Sequence, residues 1–301
     1  MEIRTLRYFL AVAREGNMTR AAGGLHVTQP TLSKALRALE DELGKRLFTR
    51  HSFSISLTEE GALLRDRAED LLLMVDKIEQ EFLSLDEITG GDLYLGLAES
   101  YQIRYLAREI KRLKDRYPDL RYHITSGDTE QVTEGLDKGL LDFAVLCGLP
   151  NERKYEHLLF PEADYFGLVM RKDDCLAGRE GIRVGDLVGL PLFCSEQSWE
   201  GDIRPWAKER FGELRLEGSF RLAYNGSVFV KEGLGYLLAL DGLVDTSSES
   251  GLVFRPLSPA LEVPLCLAWG RRQTLTPIAK RFLDQLRGMF AACGREDHFA
   301  P

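Results

Sequence analysis

HVTQPTLSKALRALEDELG, residues 26–44, is the stretch whose reading decides the fold. Thr28 can cap a helix through its hydroxyl, and Pro30 falls in the first turn, where a missing N–H costs nothing. Apolar residues then recur at Leu32, Ala35, Leu36, Leu39 and Leu43, the spacing of a helix with one buried face, and Gly44 suits a left-handed C-cap. The opposite face carries Gln29, Thr31, Ser33, Lys34 and Arg37, whereas acidic residues enter only at Glu40, Asp41 and Glu42. A solvated helix would mix its signs, so this face calls for a partner: water, another part of the chain, or a nucleic acid.

Two more helical patterns precede it. Residues 3–14 place Ile3, Leu6, Phe9, Leu10 and Ala13 on one stripe; Gly16 and Asn17 break the pattern, and Thr19–Leu25 is a short helix rich in Ala and Gly that permits close packing. Two short helices joined by a tight turn, the second basic and hydroxylated at its start, make a helix-turn-helix. Its free N–H groups, Lys34 and Arg37 would attract phosphate, and Gln29 and Thr31 could reach base edges. A plain helical hairpin with a solvated polar face is the other reading.

Charge supports the first. The chain has 301 residues and a formal net charge of -8, yet residues 4–50 hold nine Lys+Arg against four Asp+Glu, a local +5 that leaves about -13 elsewhere. A basic module on an acidic body is expected where one part alone meets a polyanion. The length implies two or three domains. No run approaches the roughly eighteen apolar residues of a membrane span, and Glu2, Arg4, Arg7, Arg14 and Glu15 interrupt any signal-peptide core, so a cytoplasmic protein is expected. Cys147, Cys175, Cys194, Cys266 and Cys293 are scattered without CxxC pairs, which favours structural thiols over a zinc site or disulfide framework.

The run MTRAAGGLHVTQPTLSKALRALEDELGKRLFTR (18–50), followed by LTEEG (57–61), resembles the DNA-binding domain of the LysR-type transcriptional regulators. The resemblance rests on Ala21-Ala22, Leu25, Gln29-Pro30, Ser33, Leu39-Glu40, Leu43-Gly44, Leu47-Phe48, Arg50 and Leu57-Thr58-Glu59-Glu60-Gly61. It implies a winged helix-turn-helix over residues 1–60, with DNA contacts from Thr28, Gln29, Pro30, Thr31, Ser33, Lys34 and Arg37 and from Arg50 and His51 on a two-stranded wing. Ser54 and Ser56 stand where relatives often carry basic residues, so this wing should make fewer phosphate contacts.

Downstream, Leu64, Ala68, Leu71, Val75, Ile78, Phe82 and Leu85 form a heptad seam interleaved with charges, while Leu63, Leu72, Leu73 and Met74 suggest a second contact. The seam could pack on the chain's own body or on a second copy. The resemblance implies a linker and dimerisation helix over 61–88, giving a homodimer or homotetramer.

After Gly90-Gly91, DLYLGLA (92–98), LRYHITS (120–126) and LDFAVL (141–146) read as strands separated by helices at about 102–116 and 129–139, a βαβαβ order implying a parallel sheet. YFGLVMR, LPLFCS, SFRLAY and YLLALD continue the pattern with helices near 199–211 and 226–233, then LVFRPL, VPLCLAW and a helix from about Thr276 to Ala292. An α/β body of two lobes places a cleft at the strand ends. The body resembles the effector-binding domain of the same family, a fold shared with periplasmic solute-binding proteins. Its expected span is 91–293, with one lobe at about 91–162 and 269–293, the other at about 163–268, and a tail at 294–301.

Candidate ligand contacts follow strands: Ser100, Asp128 and Thr129 on one wall, and Ser195, Gln197 and Asn225 on the other. The resemblance implies that Ser100 and Thr129 hold the effector, often a carboxylate, though each of these residues could equally be a helix cap or turn residue. Glu99 and Glu196 could repel an anion, which leaves a cationic or amphoteric effector open. His26, His51, His123, His157 and His298 are isolated, and no HExxH, GxSxG or P-loop occurs, so neither catalysis nor a cofactor or metal is expected. The expected function is a DNA-binding regulator answering to a small molecule; a solute-binding protein without a DNA role, or a scaffold built on the heptad helix, are the alternatives.

Overall fold

The computed structural model describes residues 1–51, 54–83 and 90–293; the expected tail and Leu85 lie outside them. The chain divides into two compact units, Met1–Leu83 and Ser84–Pro301.

In the first unit α1 (Ile3–Glu15), α2 (Met18–Gly24) and α3 (Gln29–Leu43) bury Leu6, Phe9, Val12, Ala21, Ala22, Leu32, Leu36 and Leu39. The small residues of α2 are what let it approach this core. Ile3 and Leu43, expected on buried faces, are exposed, because each sits at a helix end beyond the reach of the core, and Val12 takes the place expected of Ala13. Thr28 caps α3, its hydroxyl accepting from Thr31 N–H, and Gly44 adopts φ 64°, the left-handed cap expected of it.

The wing is β1 (Phe48–Arg50) and β2 (Ile55–Leu57), antiparallel with Thr49 opposite Ser56. It is held from both sides. Ile55 N–H donates to Gly16 O at 2.9 Å, and Glu40 turns inward, its Oε1 accepting from Leu47 N–H at 2.8 Å. Next comes α4 (Glu59–Leu83), where Gly61 is required because a Cβ there would meet Leu47 O at 2.1 Å. Leu64, Ala68 and Leu72 of α4 pack on Leu6 and Leu10 of α1. The first two were expected on the intermolecular seam; α1 claims them instead. Leu71, Ile78 and Phe82 remain exposed.

The second unit has two lobes. In chain order it comprises β3 (Gly90–Leu97), α5 (Arg104–Arg116), β4 (Asp119–Ser126), α6 (Thr129–Asp137), β5 (Phe143–Cys147), β6 (Tyr155–Leu159), β7 (Asp164–Arg171), β8 (Pro191–Cys194), α7 (Glu196–Ser198), α8 (Arg204–Ala207), β9 (Arg215–Ser219), α9 (Ala223–Lys231), β10 (Tyr236–Leu240), β11 (Leu252–Pro256), β12 (Glu262–Val263), β13 (Leu265–Gly270) and α10 (Pro277–Ala292). Lobe 1 has sheet order β4-β3-β5-β13-β6, and lobe 2 has β11-β7-β10-β8-β9 with β12 on β7. In lobe 1, α10 returns Phe282, Leu286 and Phe290 to the core that α5 covers with Leu106 and Leu113, while α6 closes the other face through Val132 and Leu136.

Three expectations are corrected. The lobe 1 sheet is mixed, because β13 runs antiparallel to both β5 and β6. That pairing also moves the second crossover from about 268–269 to Pro264, since Leu265 already lies opposite Cys147. SFRLAY is not a strand: pairing with β8 selects Arg215–Ser219 for β9, and Ala223 opens α9.

Glu40 tests the first unit's construction. Glu40→Ala leaves two backbone donors without their acceptor and should cost about 1–3 kcal/mol in urea unfolding of the full chain. Glu40→Gln should cost less, since its amide oxygen still accepts and the ion pair with exposed Arg46 contributes little.

Candidate functional site

Burial of Leu32, Leu36 and Leu39 forces the other side of α3 outward, where Gln29, Pro30, Thr31, Lys34 and Arg37 are exposed and Ser33 is half-buried. Thr28 is exposed, but its hydroxyl is engaged in the cap and lies 2.8 Å from Thr31 Oγ1. Several of the unit's other cations meet carboxylates: Arg7 with Asp76 at 2.7 Å, Arg20 with Glu15 at 3.3 Å, Lys45 with Glu60 at 3.5 Å and Arg46 with Glu40 at 3.1 Å. Among the described residues Lys34 and Arg37 meet none. On the wing, His51 Nε2 lies 3.1 Å from Ser56 Oγ, so its ring is already engaged; the side chain of Arg50 lies outside the described residues.

The second site is a cleft of about 860 Å³ between the two lobes. Asp128, Thr129, Ser195 and Gln197 line it. Ser100 and Asn225 do not. Ser100 is turned inward, its Oγ accepting from Gln102 N–H at 2.9 Å, and Asn225 is exposed in the first turn of α9 rather than following a strand. Sequence reasoning missed Cys147, Phe166, Phe220 and Arg221, which also line the cleft. The apolar ones read as ordinary strand residues, and the cleft exists only because the two sheets face each other.

Direct contacts join the lobes. Thr129 N–H donates to Gln197 Oε1 at 3.1 Å while Gln197 Nε2 donates to Thr129 Oγ1 at 2.9 Å, a reciprocal clasp. Glu99 Oε2 accepts from Ala223 N–H at 2.6 Å, so a lobe 1 carboxylate occupies the start of α9. Arg221 stands 4.0 Å from Asp128. Burial pushes the carboxyls of Glu99, Asp164 and Asp202 above their ordinary range, and for Glu99 the bond from Ala223 offsets only part of it. Among the described residues no three His, Cys, Asp or Glu side chains gather to hold a metal ion, and no helix is long and apolar enough to cross a membrane.

Asp164, wholly buried at the start of β7, gives a pH test. Its carboxyl titrates above the usual value when folded, so the stability tied to its neutral form is fully present below the unfolded carboxylate range. That stability is lost as pH rises through the raised folded value. Asp164→Asn should raise the thermal midpoint by about 2–4 °C at neutral pH, with the gain vanishing in acid, as measured by melting curves across pH.

With both sites described, comparison with known proteins gives a consistent answer. Residues 3–62 match the bacterial regulatory helix-turn-helix protein of the LysR family, and residues 87–291 match the LysR substrate binding domain. The hydrogen peroxide-inducible genes activator of Pectobacterium carotovorum subsp. carotovorum is 34% identical over 197 residues, 65% of this chain, and the chain spans 65% of that protein's length. The Hca operon transcriptional activator HcaR of Escherichia coli (strain K12) is 29% identical over 297 residues, covering 94% of this chain and 96% of HcaR. The fold matches that of full-length CbnR complexed with its target DNA at a TM-score of 0.77 and 21% identity, covering 96% and 99% of the two chains. A basic, outward-facing α3, a ligand-sized cleft and two family matches that together span nearly all of it lead to one conclusion: the chain belongs to the LysR family, DNA-binding transcriptional regulators with an effector-binding domain.

Proposed function

We propose that this chain regulates transcription as a dimer that reads double-stranded DNA through α3 and answers to a small molecule held in the interlobe cleft. The observation that carries the DNA half is the outward face of α3, where Lys34 and Arg37 are exposed and meet no carboxylate among the described residues. In this reading α3 enters a major groove with Gln29, Thr31 and Ser33 near base edges and Lys34 and Arg37 on phosphates, while Thr28 and Pro30 set the helix start. Arg50 and His51 meet the backbone from the wing, His51 weakly because its ring is engaged with Ser56.

Dimerisation is assigned to α4. Leu71, Val75, Ile78 and Phe82 follow one another at spacings of four, three and four, and the exposure of Leu71, Ile78 and Phe82 leaves an apolar stripe once α1 has taken Ala68 and Leu72. A tetramer would need a second surface. Tyr122 and Ile124 on the edge strand β4, and Tyr224, Val228 and Phe229 on α9, are exposed and apolar enough to supply one.

In the cleft, Asp128, Thr129, Ser195 and Gln197 are the proposed ligand contacts. A ligand shifts the protein only by binding two lobe arrangements unequally, and the Thr129–Gln197 clasp is the contact it would replace or reinforce. A peroxide-linked role finds no support in Cys147, Cys194 or Cys266, whose thiols burial pushes up to about 12; Cys175 and Cys293 are exposed. No catalytic residue is proposed, and the protein is taken to be cytoplasmic.

Gel-shift titration on the DNA upstream of its own gene, across several salt concentrations, tests the DNA half. Lys34→Ala and Arg37→Ala should each lower the salt-dependence slope by about one unit and weaken specific binding. Unchanged slopes would remove the assignment of α3. Ile78→Glu with Phe82→Glu should shift the full chain toward monomer in sedimentation and weaken operator binding by at least about tenfold; an unchanged oligomer would remove the assignment of α4.

A further inference from the structure

We infer that the interlobe cleft is built for a ligand that carries a protonated amine or similar organic cation on an apolar body, received by Glu99 in the lining, with Asp164 buried behind it. The inference rests on the ligand-binding reading of the cleft given above, and deepens it by naming the chemical class.

Three observations converge. First, the donors best placed for a carboxylate are already taken by the protein itself: Gln197 occupies the N–H and hydroxyl of Thr129, and Glu99 occupies the N–H of Ala223 at the start of α9. Second, the charged residues lining the cleft are Glu99, Asp128, Glu130 and Glu196 against Arg221 alone, and Arg221 stands 4.0 Å from Asp128. An anion entering here would meet a net excess of like charge.

Third, both carboxylate oxygens of Asp164 are buried without a hydrogen-bond partner of good geometry, although Ser100 and Gln102 lie beside it, and Gln102 Oε1 is likewise unpartnered. A native chain rarely leaves such acceptors unmet. Asp164 lies on the same side of β7 as Phe166, two residues on, which lines the cleft. The thiol of Cys147, also in the lining, is raised first by burial and then by Asp164, Asp202 and Glu99, so these carboxylates act on the lining electrostatically. Against them Phe166, Phe220, Leu238, Leu240 and Leu243 offer an apolar wall. An ammonium group would supply the hydrogen bonds that the carboxylates and Gln102 lack, while its hydrocarbon part covers that wall.

Matched probes of opposite charge test this on the full chain: benzylammonium against benzoate and hexylammonium against hexanoate, each titrated in a thermal-shift assay on the parent, Asp164→Asn and Glu99→Gln. The ammonium members should raise the parent's midpoint by about 2–4 °C at saturation, and each variant should lose at least half of that rise. The isosteric carboxylates should give no rise. Glu99→Gln, which keeps an oxygen for Ala223 N–H, covers the case in which Asp164→Asn does not fold. Stabilisation by the carboxylates alone would overturn the inference and leave the ligand-binding reading intact. An ammonium shift indifferent to both variants would also overturn it. No stabilisation by any of the four would overturn it and weaken the ligand-binding reading as well.

Discussion

Burial of Leu32, Leu36 and Leu39 against Phe9, Val12 and the Ala21–Ala22 pair is the constraint on which the helix-turn-helix unit depends. A helix has one apolar stripe to spend, and spending it here leaves Lys34 and Arg37 on the opposite side. The helix ends follow from the same sequence: Thr28 fixes where α3 begins, and Gly44 where it stops. Glu40, a charged residue drawn inward, couples the far end of α3 to the wing through Leu47 and Phe48. Recognition face, cap and wing are therefore set by a single packing event rather than by separate devices.

The second unit solves a different problem. Its two sheets have separate cores, one centred on Phe143 and Phe282 and the other on Leu168 and Leu192, so the space between them is free to vary without unpacking either. What spans that space is polar: a reciprocal amide clasp, a carboxylate at a helix start and one long ion pair. Contacts of this kind are individually weak and readily exchanged for ligand groups, which is what a responsive cleft requires.

Much of this was legible in the chain, and the difference between what was and what was not is a matter of range. Caps, periodicity and the α3 face are local, and Thr28, Leu32 and Gly44 announce them within one window. Sheet membership is not local. Nothing in VPLCLAW says that Leu265 will pair with Cys147 in lobe 1 rather than continue lobe 2, and SFRLAY looks more strand-like than RLEGS until β8 is there to choose between them. The cleft was legible only in part. Asp128, Thr129, Ser195 and Gln197, singled out because clefts open where strands end, do line it. Ser100 lies outside the lining with its hydroxyl engaged as a cap, a role that looks like a ligand-holding one in sequence, and Asp164 drew no attention because its burial is a property of the folded surroundings. The seam of α4 meets the same limit: α1 competes for Leu64 and Ala68, a competition invisible in the heptad count.

The central claim is that the outward face of α3, presented twice by a symmetric pair, reads a defined site. Hydroxyl-radical footprinting of the full chain on the DNA upstream of its gene addresses it most directly. The account predicts protected backbone patches on one face of the duplex, in two half-sites centred about one helical turn, or a whole multiple of it, apart, and their loss with Arg37→Ala. Uniform protection, or a pattern that Arg37→Ala leaves unchanged, would contradict it.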